Sequence, residues 1–447
     1  MKEVKDIDVK GLIEQNRLAE LREIISDYPV ADIADFILHI DKHDRVILFR
    51  LLPRKISSEV FICMESEDRN ALLKDLTDEE TGHLLTHLRP DDRTTLFEEL
   101  PGRVTQKLLN LLSPEDLNKA RFLLGYPEES IGRLMTPDYV AVRPQWTVSQ
   151  CIDHIRNKGK DSETVSVIYV CNPDWTLLDA LALQKFVLAE PHTTIEQLMD
   201  YSFVSLSAFD DREEAVRVML KYDVWALPVL DSEGVLIGVV TFDDVMDVAE
   251  EEATEDFHKG AAVTPLKTSY SATSITALYS KRIGWLLGLV LINLISLEIM
   301  ASFQEVLAST IALTFFIPML IGSGGNAGAQ AATLMVRALA TGDVEFSQWS
   351  STLLKELMVG ASLGITMGVV GTVLGFVRGG TDIAIIVGLT MILIVLVANI
   401  IGVVLPFLLT RLNLDPAVAS NPLVMSIADV TGLIIYFTIS TWILTLV

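Results

Sequence analysis

Residues 306–340 read VLASTIALTFFIPMLIGSGGNAGAQAATLMVRALA, and this stretch decides the fold class. No charged side chain occurs from Val306 to Val336. About 20 apolar residues cross a bilayer as a helix, so the run belongs in a membrane and is too long for one straight crossing. Pro318 and then Gly322-Ser323-Gly324-Gly325-Asn326-Ala327-Gly328-Ala329-Gln330 fall in its middle. Irregular backbone at membrane depth is tolerated only where it is buried in protein or lines a polar cavity. The pattern predicts a broken or re-entrant helix from Pro318 to Gln330, with its backbone along a polar path.

Working outward, further apolar runs at about 282–302, 354–377, 383–410 and 420–446 join 306–338 to make five spans. Gly360, Gly364, Gly368, Gly371 and Gly375 form one stripe on the third and predict close helix packing. Asn399 and Asn293 are expected to hydrogen-bond between helices. If residue 281 is cytoplasmic, Lys281, Arg282, Arg337, Lys355 and Arg411 lie inside and only Arg378 outside, as the positive-inside rule asks. That places the C-terminus outside. The fifth span carries one ionisable residue, Asp429, flanked by Ser426 and Thr431. A carboxylate at mid-membrane costs roughly 2.5–3.5 kcal/mol and needs water, an ion or a partner. No basic residue sits mid-span to supply one, so a cation site is the preferred reading.

The chain's charge is divided as sharply as its hydropathy. The 447 residues carry a formal net charge of −24, with 50% hydrophobic and 21% charged residues. Residues 268–447 hold six basic and eight acidic residues; 1–267 hold 29 and 51, a net −22. This excludes a single soluble domain, a basic nucleic-acid binder and a disordered acidic tail. The N-terminal MKEVKDIDVK has no apolar stretch behind it, so no cleavable signal peptide is expected and the acidic part stays in the cytoplasm. Cys63, Cys151 and Cys171 are widely spaced, without a CxxC, and read as small apolar residues in a reducing compartment.

Residues 28–124 contain a twelve-residue repeat. Leu52, Met64, Leu76, Leu88, Leu100, Leu112 and Leu124 mark it, with Leu48, Val60, Leu72, Leu84, Leu96 and Leu108 four residues earlier. Capping residues followed by acids start most units, which predicts a stack of short helices. From 131 to 242 strands and helices alternate, with strands expected at 165–170 and 225–230 and a helix at 211–220. Leu134-Met135-Thr136-Pro137 opens this part, and Gly238-Val239-Val240-Thr241 with Asp244 closes it, which resembles a tandem pair of CBS domains. The resemblance implies an adenine-nucleotide site, ATP included, at Thr241 and Asp244. Asp179-Ala180-Leu181-Ala182 in the first half lacks the GlyxxThr form. In Asp243–Asp256 eight of fourteen residues are acidic, and Asp244, Asp247, Glu251 and Glu255 share a helix face. Their repulsion would be relieved by hard divalent cations with oxygen ligands.

Taken in order, the chain resembles the MgtE-type magnesium transporters. Gly325-Asn326-Ala327-Gly328-Ala329-Gln330 with Ala332-Thr333-Leu334-Met335-Val336-Arg337 carries the likeness, as do Asp415-Pro416-Ala417, Asn421-Pro422 and Asp429. Glu252-Ala253-Thr254-Glu255-Asp256 matches the end of the family's connecting, or plug, helix. The resemblance implies a multidomain membrane protein. Its parts are an all-α superhelical N domain (1–130), α/β tandem CBS domains (131–242), a connecting acidic α-helix (243–267) and an all-α five-helix transmembrane domain (268–447). It implies a homodimer in the inner (plasma) membrane that takes up Mg²⁺, with Asp429 holding the hydrated ion and Asn421 and Met425 assisting. Pro318, Gly325, Asn326, Gly328 and Gln330 would line the pore; Ala329 stands where the family often has Asn or Ser. Cytosolic Mg²⁺ on Asp244, Asp247, Glu251, Glu252, Glu255 and Asp256, with Asp91 and Asp92 (and Glu98 and Glu99) from the N domain, would close it. The same architecture carrying Mn²⁺, Co²⁺ or Ni²⁺ is disfavoured by the lack of soft ligands beyond Met425. A membrane enzyme is disfavoured by the lack of a nucleophile–base pair, HExxH or P-loop. A sensor without transport would not need a buried acid in a fifth span.

Overall fold

The computed structural model describes residues 8–38, 40–64, 66–266, 270, 273–412 and 414–446. The chain forms two compact units, Met1–Glu250 and Glu251–Val447. The expected boundary at 267/268 and the C-terminal Val447 lie outside the described residues.

The first unit begins with two short helices, Val9–Glu14 and Leu18–Ser26. Eight more then start at Val30, Lys42, Arg54, Ser66, Asp78, Pro90, Gly102 and Pro114, which is the twelve-residue period. Helices of about ten residues are marginal alone, so stacking must hold them. Leu48, Val60, Leu72, Leu84, Leu96 and Leu108 are buried in one continuous core. The turns supply the caps. Thr77 and Glu80 form a reciprocal capping box, Ser113 accepts from the Asp116 amide, and Pro90 and Pro114 occupy first turns. Arg93 is fully buried and ties neighbouring units together, through the Leu85 carbonyl at 3.1 Å and the Asp116 carboxylate at 3.1 Å.

Two copies of one small α/β motif follow. In the first, β1 (Ala141–Val142) pairs parallel with β2 (Val167–Cys171), which pairs antiparallel with β3 (Leu177–Ala182). In the second, β4 (Leu206–Ser207), β5 (Ala226–Leu230) and β6 (Leu236–Thr241) repeat that order and those directions. The helices Val148–Lys158 and Arg212–Tyr222 sit at corresponding places. Bridges Thr136↔Val239 and Thr176↔Val235 join the copies. The registers make Asp179, opposite Val170, the counterpart of Gly238, opposite Val229. Asp179 is fully buried and accepts from the amides of Ala180, Asp200 and Tyr201. The departure from the GlyxxThr form is thus a carboxylate that holds the link between the two halves.

The second unit is helical. A helix of 28 residues, Ile275–Ser302, has no buried residue and packs beside the last helix, Asn421–Leu446. Trp349–Arg411 is helical over 63 residues, about 95 Å if straight, three bilayers long, but it is two helices that meet at a kink. It is not straight. Gly380 has φ 80°, ψ −167°, which an L side chain resists, and the chain doubles back there. The glycine stripe proves the hairpin: a Cβ on Gly360 would meet Asn399, on Gly364 Ile392, on Gly371 Val387 and on Gly375 Ala384. The two arms supply the third and fourth apolar helices, packed backbone to backbone. Asn399, buried between them, donates its amide to the Glu356 carboxylate at 2.7 Å. Asn293, by contrast, is exposed and bonds to no described residue.

The expected break from Pro318 to Gln330 is corrected. That stretch lies within a continuous helix, Ile317–Ala340, with Pro318 in its first turn, where a missing N–H costs nothing. The irregular backbone comes earlier, as a short helix Gln304–Ser309 and a 3₁₀ turn Ile311–Phe316. Tyr436 donates its hydroxyl to the Leu313 carbonyl at 2.8 Å, which satisfies that turn in the apolar interior. The glycines serve close approach. A Cβ on Gly402 would stand 2.3 Å from the Gly328 carbonyl oxygen, and one on Gly324 2.2 Å from Ile394.

Candidate functional site

The second and fifth apolar helices, Ile317–Ala340 and Asn421–Leu446, cross antiparallel along a line of named contacts. Thr333 meets Asn421, Gly328 faces Val424, Gly325 faces Met425 and Asp429, and Gly432 faces Ile321. Asp429 is half-buried, about 12 Å into its helix. A Cβ on Gly325 would sit 3.5 Å from its Oδ1 and from Met425. Bare glycine backbone therefore leaves room beside the carboxylate. Among the described residues no hydrogen-bond or ion-pair partner is found for Asp429. Asn421 is otherwise engaged: its Oδ1 lies 3.0 Å from the Thr333 hydroxyl, which also reaches the Ala329 carbonyl at 2.9 Å. Thr333 carried no signal of its own in the sequence.

The five expected pore residues divide. Gly325 and Gly328 are buried in helix contacts, whereas Pro318, Asn326 and Gln330 are exposed. Asn326, Gln330, Thr333 and Arg337 recur at intervals of four, three and four, one exposed stripe along the helix. Polar groups on such a stripe cannot face lipid cheaply, so they point to water or to another polypeptide.

In the first unit the N domain brings Asp91 and Asp92, on Pro90–Glu99, to Asp243, Asp244 and Asp247 on the helix Phe242–Gly260. Burial, then Asp244 and Asp92, push the Asp91 carboxyl well above the usual range. Its Oδ1 is buried without a hydrogen-bond partner among the described residues. Burial lifts Asp244 to about 7 against the pull of the Thr241 hydroxyl, with Asp243, Asp92 and Asp247 adding to the rise. Burial also raises Asp92, although Arg89 and Arg69 oppose it. Glu98 and Glu99 stand apart, ion-paired with Arg133 and Arg69. Among the described residues no group of three or more His, Cys, Asp or Glu is placed to hold a metal ion. Mg²⁺ does not ask for one, since it keeps most of its water and takes one or two carboxylates.

The helix Phe242–Gly260 continues into the second unit with Glu251 exposed and Glu252, Glu255 and Asp256 partly buried. Glu255 was expected to hold metal, but it already faces a cation. Lys259 pairs with it one turn later and with the Asp415 Oδ2 at 2.6 Å. Burial works against that ammonium, yet Asp415 and Glu255 raise its pKa. Asp256, raised by burial and Asp415, is eased by Lys259 and Arg337.

Thr241 lines a cavity of about 290 Å³ with Arg89, Glu163, Ser166, Trp225 and Asp243. Asp244 is not among its lining residues; its Oδ2 accepts from Thr241 at 2.6 Å. Glu163 is buried and paired with Arg89.

A carboxylate inside an apolar bundle, without a partner among the described residues, is costly and suits a membrane protein that handles cations. A protein built this way is a cation transporter of the membrane and not an enzyme. The chain belongs to the MgtE family of divalent cation transporters. The family's divalent cation transporter model matches residues 317–439, its intracellular N domain model matches 28–129, and the CBS domain model matches 195–251. The chain is 43% identical over 320 residues to the magnesium transporter MgtE of Thermus thermophilus, covering 71% of each. It is 32% identical to that of Enterococcus faecalis, over 96% of this chain and 95% of the relative. Among solved structures, the cytosolic domain of the Mg²⁺ channel MgtE in complex with ATP is similar with a TM-score of 0.52 and 31% identity. That likeness covers 54% of this chain and 98% of the other. The one CBS model matches the second copy, the one that retains Gly238 and Thr241.

Proposed function

We propose that this protein carries Mg²⁺ across the cell's inner membrane, as a homodimer, and that Asp429 is the contact for the hydrated ion. The observation that carries the reading is the Asp429 carboxylate, without a partner among the described residues and set against the bare backbone of Gly325. Oxygen donors around a retained hydration shell suit Mg²⁺, and Met425 is the one soft group beside them. The exposed stripe Asn326–Gln330–Thr333 supports a water-filled path closed by a second copy of the chain. The basic residues beside the spans support cytoplasmic placement of the first unit.

Gating follows from linkage. Asp91, Asp92, Asp243, Asp244 and Asp247 crowd together only while the N domain is docked on the start of the connecting helix. Mg²⁺ bound there favours the docked, closed form, and loss of Mg²⁺ lets repulsion separate it. The cavity at Thr241 is the place for an adenine nucleotide such as ATP, with Trp225 for the base, Asp243 for ribose hydroxyls and Arg89 for phosphate. The test is Mg²⁺ flux into liposomes for the full-length protein against Asp429→Ala. The variant is expected to fall to the level of empty liposomes, and equal flux in both would remove the reading. Manganese, cobalt or nickel carried faster than Mg²⁺ would move the assignment to a softer ion.

A further inference from the structure

The expected metal ligands Glu251, Glu252, Glu255 and Asp256 lie towards the end of the connecting helix, and its last turn holds a cation of its own. Lys259 lies between Glu255, one turn earlier, and Asp415, 156 residues later, at 2.6 Å. All three side chains are partly buried, so the pairs are shielded from salt. Asp415 uses its other oxygen to accept the Ala417 amide at 2.7 Å, capping the turn Pro416–Val418. That turn runs directly into the helix that starts at Asn421 and carries Asp429. A short chain of strong contacts thus leads from the connecting helix to the helix of the ion site. Without the ammonium, Glu255, Asp256 and Asp415 would face one another, with Arg337 left to ease Asp256.

We propose that Lys259 is a positioning residue, a built-in counter-ion that pins the last turn of the connecting helix to the turn opening the fifth span and so favours the closed pore. The proposal rests on the reading of that helix as the gate. It assigns the two ends of the helix different duties. The acidic start, at Asp244 and Asp247, needs Mg²⁺ to dock, while the last turn is held by a cation that never leaves. Closing then requires fewer ions than the acid count suggests.

The test is current through full-length protein in inside-out patches from giant liposomes, with cytosolic Mg²⁺ varied. A partly exposed ammonium with two carboxylate partners shifts the closed-to-open ratio about tenfold. If closing takes up two ions, Lys259→Gln raises the half-closing Mg²⁺ concentration about threefold. Current without cytosolic Mg²⁺ stays at the wild-type level. Lys259→Arg restores the wild-type threshold. Asp415→Asn, which keeps an acceptor for Ala417, raises the threshold like Lys259→Gln, and the double variant adds nothing further. An unchanged or lowered threshold in Lys259→Gln overturns the proposal, as do additive effects with Asp415→Asn. If Lys259→Gln does not fold, Lys259→Arg and Asp415→Asn carry the decision. Wild-type current that ignores cytosolic Mg²⁺ overturns the gate itself, and the wild-type arm alone reveals that.

Discussion

Neutralising the buried acids where the N domain meets the connecting helix should compress the response to Mg²⁺ from both ends. The perturbation is Asp91→Asn with Asp244→Asn. At pH 7, an acid lifted from 3.8 to about 7 costs the state that lifts it on the order of 4 kcal/mol. The N domain is responsible for only part of that, because Asp243 and Asp247 stay with Asp244 when it leaves. Half, about 2 kcal/mol, is already about thirtyfold in the docking equilibrium. Asp91, more deeply buried, adds in the same direction. The Asn variant lacks this repulsion without metal, and lacks the carboxylates that Mg²⁺ would bridge with metal. The assay is a distance between spin labels on the exposed Glu79 and Glu190 in the full chain, after replacing the exposed Cys63. Wild type should give long, broad distances in EDTA and a short one in Mg²⁺. The variant should be short in EDTA and change little. A variant with the wild-type Mg²⁺ dependence would refute the view that these carboxylates are the sensor.

The same acids set a pH dependence in metal-free wild type. Docking raises the Asp244 pKa, so the docked form binds more protons and its penalty is absent below about pH 4 and complete above about pH 7. Asp91, Asp92, Asp243 and Asp247 reinforce it, with Arg89 and Arg69 opposing. The label distance in EDTA should therefore shorten as pH falls from 7 to 6, by up to about fivefold in docking equilibrium. Gly402→Ala drives a Cβ to 2.3 Å from the Gly328 carbonyl oxygen and should lower the thermal midpoint markedly. Gly325→Ala makes only 3.5 Å contacts, so it should leave the midpoint nearly unchanged while reducing flux beside Asp429. Asp179→Ala strips the buried acceptor from three partly buried amide bonds and should destabilise the CBS pair by roughly 2–4 kcal/mol, read by urea unfolding.

What could be read from the sequence was what repeats or stands out locally. The twelve-residue period is visible because each helix is one unit long and reuses the same buried positions, Leu48 to Leu108. Asp429 stands out because a carboxylate in an apolar run has nowhere else to be. The second CBS copy keeps Gly238 and Thr241 and is legible; the first replaces them, so that Asp179 reads as a defect when it is a buried clamp. The glycine-rich stretch misled for a related reason. Gly324 and Gly328 look like helix breakers when only their own helix is considered. Their use becomes apparent from Ile394, Ala398 and Gly402, residues more than sixty positions away, whose closeness no local pattern encodes.

Charge shows the same limit, and it changes how the acidity should be understood. Counted along the chain, the acids from Asp243 to Asp256 look like one run with one purpose. In the fold they separate by what faces them. Asp244 meets Asp91 and Asp92, a repulsion that Arg89, Arg69 and the Thr241 hydroxyl oppose without removing, whereas Glu255 meets Lys259 and, through it, Asp415. Net charge measures the total repulsion, but regulation depends on where a counter-ion is missing. A site the protein already neutralises cannot report on the Mg²⁺ outside it. A site left raised, with one buried oxygen that no described residue hydrogen-bonds, as Asp91 is, can. Under the proposed gating, the sensing part of the −24 is confined to the few carboxylates where the N domain meets the start of the connecting helix, and the remaining acids set how far the docked form must be stabilised before it closes the proposed path past Asp429.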